Sequence, residues 1–211
     1  MKWYGQFDPP TDQVIRSYFD STYQGAAIEI GAVDGIFFSN TYALEQEGWL
    51  CLAIEANPEY CAALNRNRKY SMCCAVAEYE GTAELVVYDI QRGDHVALTA
   101  IKVDARLVEQ YSGTVVRRVK VPVHTLDPCI ADFGKFQKID IVSIDTEGNE
   151  LDVLKGFDIK RWNPSLIVVE DNHGNDFAMA DYLSKFGYFK HRRHGVNDFW
   201  ISTDYRNLMK P

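Results

Sequence analysis

The sequence predicts one α/β domain built on a doubly wound, mostly parallel sheet. Three observations predict it. A chain of 211 residues fits one globular domain with a continuous core. Segments of strand character alternate with segments of helical character along most of the length. The strands are rich in apolar, β-branched residues, as in Ile139 to Ile144 and Leu166 to Val169. That composition belongs to a parallel sheet covered by helices on both faces.

Residues 1–25 read as an N-terminal helical segment. Pro9 and Pro10 precede Thr11-Asp12, which are expected to cap a helix running to about Tyr23. Val14, Ile15, Tyr18 and Phe19 would form its buried stripe. Trp3, Tyr4 and Phe7 are expected to pack within this segment rather than to cover a pocket. Ala26 to Gly31 reads as a buried strand ending at a glycine turn, Asn40 to Glu47 as a helix, and Trp49 to Glu55 as a second strand. Asn57-Pro58 opens the next helix, with Pro58 at the first helical position, where a missing N–H costs nothing. Met72 to Val76 is a third short strand.

The alternation then breaks. Ala83 to Tyr88 looks like a strand, but residues 89–113 have no clean period. A long irregular segment inside a compact domain is typically a lid or binding loop, so 89–113 is expected to be a substrate-side insertion. Val119, Val121 and Val123 alternate with Arg118, Lys120 and Pro122, a half-exposed strand that Pro122 places at a sheet edge. Regular alternation resumes with the strand Ile139 to Asp145, a short helix from about Asn149 and the strand Leu166 to Glu170. A helix from Asp176 to Phe186 and a closing strand pair, Tyr188 to His191 with Asp198 to Ser202, follow. There is no repeat, linker or low-complexity stretch, so 1–211 is read as a single domain.

With 22 basic and 30 acidic residues the formal charge is −8, which argues against a nucleic-acid surface, since phosphates demand a basic field. The dense basic run Lys190 to His194 reads as a solvated strand surface. Cys51, Cys61, Cys73, Cys74 and Cys129 contain no CxxC pair and leave an odd count. Neither a disulfide framework nor a zinc site is expected, and a reducing compartment follows. The first residues carry no apolar signal region, and no apolar run approaches the ~18 to 20 residues that span a bilayer. A cytoplasmic protein with no membrane contact is expected.

Ligands of doubly wound sheets bind beyond the carboxyl ends of the strands, near the point where strand order reverses. Three strand ends here carry glycine or acid. The first is Glu29-Ile30-Gly31-Ala32-Val33-Asp34-Gly35, whose glycines allow a tight turn and close ligand approach. The second is Glu55, in Ile54-Glu55-Ala56-Asn57-Pro58, where a carboxylate can accept both hydroxyls of a ribose. The third is Asp145-Thr146-Glu147-Gly148. A dinucleotide site presents G-x-G-x-x-G and bare N–H groups to an anionic pyrophosphate. This loop lacks that motif and carries Glu29 and Asp34, which would repel a pyrophosphate. S-adenosylmethionine has no phosphate, and its ammonium and sulfonium are both cationic, so the acidic strand ends suit it.

Together these segments resemble the FkbM family of methyltransferases over roughly Ala26 to Ser202. They are joined by Phe38-Ser39-Asn40-Thr41, Gly48-Trp49 and Val121-Pro122-Val123-His124-Thr125-Leu126-Asp127. Most specific are Ile141-Val142-Ser143-Ile144-Asp145-Thr146-Glu147-Gly148-Asn149-Glu150 and Leu154-Lys155-Gly156. The resemblance implies a seven-stranded, Rossmann-like class I methyltransferase sheet with one antiparallel strand at the end, and methyl transfer to oxygen. It implies that Gly31, Ala32 and Asp34 line the methionine part of S-adenosyl-L-methionine, that Ser39 and Asn40 hold its carboxylate and that Glu55 takes the ribose. Ala75 and Val76 would lie against adenine. With the acidic strand ends, Glu29, Gly35, Ala56, Asn57, Asp145, Thr146 and Glu147 complete the expected cofactor set. Many relatives carry asparagine where Val33 stands.

The acceptor would be a hydroxyl on a sugar, polyketide or other small metabolite or glycan. A hydroxyl of high pKa needs a base or a metal. Asp145 ends one core strand, and Glu170, Asp171 and His173 follow its neighbour, so Asp145, Glu170 and His173 are the candidate catalytic residues. In one reading His173 takes the proton. In the other, Asp145, Glu170 and Asp171 hold Mg²⁺ through oxygen ligands, a route that the resemblance makes credible. The competing readings are a nicotinamide-dependent oxidoreductase and a cofactor-binding fold that has lost catalysis and serves as a partner subunit.

Overall fold

The computed structural model describes residues 1–89, 98–101, 114–172, 174 and 177–206. Residues 90–97 and 102–113, most of the expected insertion, lie outside the described residues. The strands are β1 Ala26–Ile30, β2 Leu50–Glu55, β3 Ser71–Cys73, β4 Ala75–Val76, β5 Gly81–Asp89 and β6 Leu98–Ala100. Then come β7 Thr114–His124, β8 Ile141–Ile144, β9 Leu166–Glu170, β10 Tyr188–His194 and β11 Asn197–Ser202. The helices are α1 Thr11–Arg16, α2 Tyr42–Gln46, α3 Pro58–Asn67, α4 Leu126–Phe133, α5 Glu150–Lys155, α6 Ile159–Trp162, α7 Phe177–Ser184 and α8 Thr203–Arg206.

Seven strands form the main sheet in the order β10-β11-β9-β8-β1-β2-β3. The pairs β1–β2, β1–β8, β2–β3 and β8–β9 are parallel. β11 runs antiparallel between β9 and β10. The order reverses between β1 and β8, which puts the expected crevice at their carboxyl ends. Alternation along the strands serves both faces. In β9, Ile167 and Val169 join the core that holds Ile28, Val142 and Trp200. Leu166 and Val168 join the opposite core with Ile15, Trp49 and Phe199. A parallel sheet with both faces buried needs this near-continuous apolar strand.

A second sheet, of order β4-β7-β5-β6, was not anticipated. It splits the expected strand Met72 to Val76 in two: β3 stays in the main sheet and β4 pairs with β7. β7 is therefore an interior strand, not the edge that Pro122 predicted. The proline is tolerated because β4 pairs only with Val123 and His124, leaving Pro122 a partner on the β5 side alone.

Two further expectations are corrected. α1 stops at Arg16, because the Arg16 guanidinium gathers the carbonyls of Phe19, Asp20 and Ser21 at 3.1, 2.9 and 2.7 Å and holds that segment in turns. Cys61 and Cys73 form a disulfide, where the sequence led to reduced thiols. α3 returns directly into β3, bringing their Cα atoms to 5.8 Å across a separation of 12 residues. Cys51, Cys74 and Cys129 are free and buried. Asn57 caps α3 as expected, its side chain accepting from Glu59 N at 3.1 Å, with Pro58 next. Among the described residues, no helix is long and apolar enough to cross a membrane.

Candidate functional site

β1 ends in a turn at Gly31, with φ 85°. A Cβ there would stand 1.7 Å from the Asp145 carbonyl oxygen, so the glycine is required where the β1 and β8 ends touch, whatever the ligand. The loop spends its N–H groups internally. Gly31 and Ala32 both donate to the Ile54 carbonyl, at 2.9 and 3.1 Å, and Gly35 donates to Ala32 O at 2.7 Å. Val33 N donates to Glu55 Oε2 at 2.8 Å, and Ile36 N and Phe37 N donate to Asp34 Oδ1 at 2.9 and 2.8 Å. A phosphate cradle needs such donors bare and convergent.

Glu29 and Asp34 are thus not the carboxylates that would repel a pyrophosphate. Glu29 is buried and accepts from Ser39 Oγ at 2.8 Å, Asn40 N at 2.6 Å and Thr41 Oγ1 at 2.6 Å. Arg68 neutralises it at 2.8 Å and reaches Glu45 at 2.9 Å. Asp34 closes its own turn. Arg68 escaped the sequence reading because an arginine inside the polar run Asn65 to Lys69 looks like a solvated charge.

A cleft of about 210 Å³ lies over the ends of β1, β2, β8 and β9. Of the residues expected to form the site, Glu29, Gly31, Asn40, Glu55, Ala56, Ala75, Val76, Asp145, Thr146, Glu147 and Glu170 line it. Ala32, Asp34, Gly35, Ser39 and Asn57 do not; they stand behind its wall, Ala32 packed on Ala53 and Leu64 and Ser39 bonded to Glu29. Gln6 and Phe7 also line the cleft. The N-terminal segment therefore borders the site instead of only packing within itself. It is tied down by the bridge between Gly5 and Phe38 and by Asp12, which accepts from Tyr4 N and Gly5 N at 2.8 and 3.0 Å. Phe7, Val33, Phe38 and Glu147 all have φ between 51° and 76°, and all four line the cleft. Such strain in non-glycine residues gathers at functional sites, and no residue type announces it in a sequence.

Glu55 is buried at the cleft floor, with Val33 N on Oε2 and Asn57 N on Oε1, at 2.8 and 2.7 Å. Burial pushes its carboxyl up to about 7, against the pull of the backbone N–H groups and with help from the charge of Asp145. Across the cleft, Glu170 is raised well above the carboxylate range by burial, by the charges of Asp145, Glu147 and Glu150, and by a hydrogen bond with Asp145. Close carboxylates disfavour each other's charged form in this way.

Asp145, Glu147 and Glu170 each place one oxygen within 4.8 Å of the others. Asp171 is not part of this group: its carboxylate accepts from Gly174 N at 2.8 Å and faces Arg193 at 3.5 Å. Thr146 is engaged by Glu150, which takes its N–H and hydroxyl at 3.0 and 3.1 Å. His173 lies outside the described residues. The basic run of β10 is exposed along most of its length, yet it is paired. Lys190 and Arg193 meet Asp198, and His194 meets Pro9 O at 2.7 Å.

The family model described as Methyltransferase FkbM domain matches residues 29–190. A search of curated proteins finds no match to the chain. Among solved structures, the chain is similar to a precorrin-6y C5,15-methyltransferase from Geobacter metallireducens GS-15, with 14% identity, 90% of this chain and 85% of that chain covered, and a TM-score of 0.45. It is similar to a putative O-methyltransferase from Klebsiella pneumoniae at 12% identity, 92% and 80% coverage and TM-score 0.45. A human methyltransferase 10 domain containing protein gives 12%, 93% and 82%, and 0.45.

Proposed function

Because the chain belongs to the FkbM family of methyltransferases, we propose that it moves the methyl group of S-adenosylmethionine to a hydroxyl of a sugar, polyketide or other small acceptor. One observation carries the cofactor reading. The cleft is lined by the carboxylates of Glu55, Asp145, Glu147 and Glu170, while the glycine loop beneath it has spent its N–H donors. That wall favours a cationic, phosphate-free nucleoside over a dinucleotide. Glu55, which accepts from Val33 N and Asn57 N, is the carboxylate we assign to the two ribose hydroxyls.

The hydroxyl proton must leave as the new O–C bond forms, and the Asp145–Glu170 pair is the acceptor we assign. A second reading rests on the three oxygens of Asp145, Glu147 and Glu170, which would each give one ligand to Mg²⁺ and lower the pKa of the acceptor hydroxyl. Isothermal titration with S-adenosylmethionine and with NAD tests the cofactor; binding of NAD alone would sink the proposal. Methyl turnover on a panel of hydroxylated acceptors separates an enzyme from a fold that only binds. The same assay in EDTA, then with Mg²⁺ restored, decides the metal. Full activity in EDTA removes the metal route, and full activity of Asp145→Asn and Glu170→Gln together removes the carboxylate pair and leaves His173→Ala as the next test.

A further inference from the structure

The turn that precedes α1 holds an aromatic ring in the cleft. The Gln6 carbonyl accepts from Thr11 N at 3.0 Å and from Thr11 Oγ1 at 2.8 Å. Gly5 leaves no room for a side chain, since a Cβ would stand 2.7 Å from the nitrogens of Thr11 and Asp12. With the turn fixed in this way, the Phe7 ring lies against Gly195, between β10 and β11, where a Cβ would come within 2.4 Å of it. His194 meets the same ring edge-on, at 5.9 Å between centroids.

This contact places Phe7 at one end of the cleft. Asn197, two residues after Gly195, is the register partner of Glu170, and Val196 O accepts from Asp171 N at 2.8 Å. Glu55 ends β2, which lies beyond β8 and β1 in the sheet. Phe7 therefore borders the Glu170 end, away from the carboxylate assigned to the ribose. Phe38 lines the same cleft and is fixed beside the turn by its bridge to Gly5. Among the described residues, Phe7 and Phe38 are the two exposed large apolar side chains in the cleft wall, at 37% and 39% exposure. Each also has positive φ, 76° and 52°, which bulky residues rarely adopt. Strain and exposed apolar area both cost free energy, and a ligand with an apolar face offsets the second.

We propose that Phe7 and Phe38 form the acceptor subsite, taking the apolar face of a ring whose hydroxyl reaches the Asp145–Glu170 pair. The inference rests on the methyl-transfer reading above and names the acceptor class: an uncharged hydroxylated ring rather than an open-chain polyol. An anionic acceptor is disfavoured by Asp145, Glu147 and Glu170 in the same wall. Phe7 stands outside the 29–190 match to the family model, so it is an addition of this chain to the methyl-transfer core.

The test uses the whole chain, methyl-labelled S-adenosylmethionine and matched acceptors: methyl 6-deoxyhexopyranosides and the corresponding 6-deoxyhexitols. Both offer secondary hydroxyls, but only the pyranoside has a ring face. The native protein should prefer the pyranoside by roughly 10-fold or more in kcat/KM. Phe7→Ala and Phe38→Ala should reduce that preference below about 3-fold by raising KM for the pyranoside, with S-adenosylmethionine affinity unchanged. Phe7→Tyr should keep it. A loosened N-terminal turn would slow both acceptors alike, so an unchanged ratio in the folded alanine variants overturns the subsite. Equal turnover of both acceptors by the native protein, or turnover of neither, also overturns it, while calorimetric binding of S-adenosylmethionine keeps the cofactor reading. Loss of S-adenosylmethionine affinity in Phe7→Ala would assign the ring to the cofactor instead. If S-adenosylmethionine does not bind the native protein, the methyl-transfer reading fails and the inference falls with it.

Discussion

The two ends of the cleft carry similar residues and use them in opposite ways. At the end of β1, Glu29 and Asp34 look like ligand groups, yet Glu29 holds four internal partners and Asp34 closes a turn. At the ends of β8 and β9, Asp145, Glu147 and Glu170 crowd one another, and burial together with the charges of Asp145, Glu147 and Glu150 raises the Glu170 carboxyl well above the carboxylate range. The first end is a satisfied scaffold; the second keeps its electrostatic tension for the reaction. An acid in a cleft wall is therefore read by its partners. Arg68 separates structure from chemistry here.

The sharpest way to break that contrast is Gly31→Val. If the β1 end is scaffold, the variant fails to fold, since even a Cβ would collide with the Asp145 backbone and the turn needs positive φ. A soluble variant with native circular dichroism and lost cofactor binding would return Gly31 to a ligand role.

Next in size is Arg68→Ala. Removing it leaves Glu29 buried without its cation, a loss of about 3–5 kcal/mol for breaking a buried pair. At about 2–4 °C per kcal/mol for a chain of this size, the melting temperature should fall by roughly 10 °C. A change below about 3 °C would show that the network is not what holds the loop.

The smallest effect on the fold belongs to the other class. Glu55→Gln keeps an acceptor for one backbone N–H, where alanine would strand both Val33 N and Asn57 N. It should weaken S-adenosylmethionine binding by roughly 10-fold or more, from lost charge-assisted bonds, with little change in melting temperature at pH 6.

The pH dependence sharpens this prediction. Glu55's pKa is raised from 4.5 to about 7 by folding, so its contribution is fully present below 4.5 and is lost as pH rises through 7. The ligand-free protein should lose stability between about pH 5 and 8, by up to on the order of 3 kcal/mol from this group at about 1.4 kcal/mol per unit. Cofactor affinity should rise over the same range, because the ribose hydroxyls donate to the ionised form. Glu55→Gln should flatten the affinity profile and remove Glu55's share of the stability loss. An affinity profile identical to the native one would place the ribose elsewhere.

How much of this was legible in the sequence depended on the reach of each signal. The parallel sheet, the turn at Gly31, the cap at Asn57-Pro58 and Glu55 at a strand end are written in runs of a few residues. There β-branching, a missing Cβ or a fixed φ acts on the chain locally. Cys61 with Cys73, Arg68 with Glu29 and Asn149 with Val76 stand 12, 39 and 73 residues apart. Pro122 shows the boundary from the other side. Its missing N–H was read as the mark of an edge strand, but β4 pairs with Val123 and His124 beside it and makes β7 interior, while the two-residue length of β4 leaves Pro122 a partner on the β5 side alone. By itself the sequence determined the doubly wound main sheet and the acidic or glycine-bearing ends of β1, β2 and β8. Which carboxylates were neutralised, which N–H groups were spent and which aromatic rings stayed open to the cleft were decided by tertiary contacts. A side chain's charge and hydrogen bonds are satisfied by whatever packing brings within about 3 Å, and that distance is set by the fold, not by chain order.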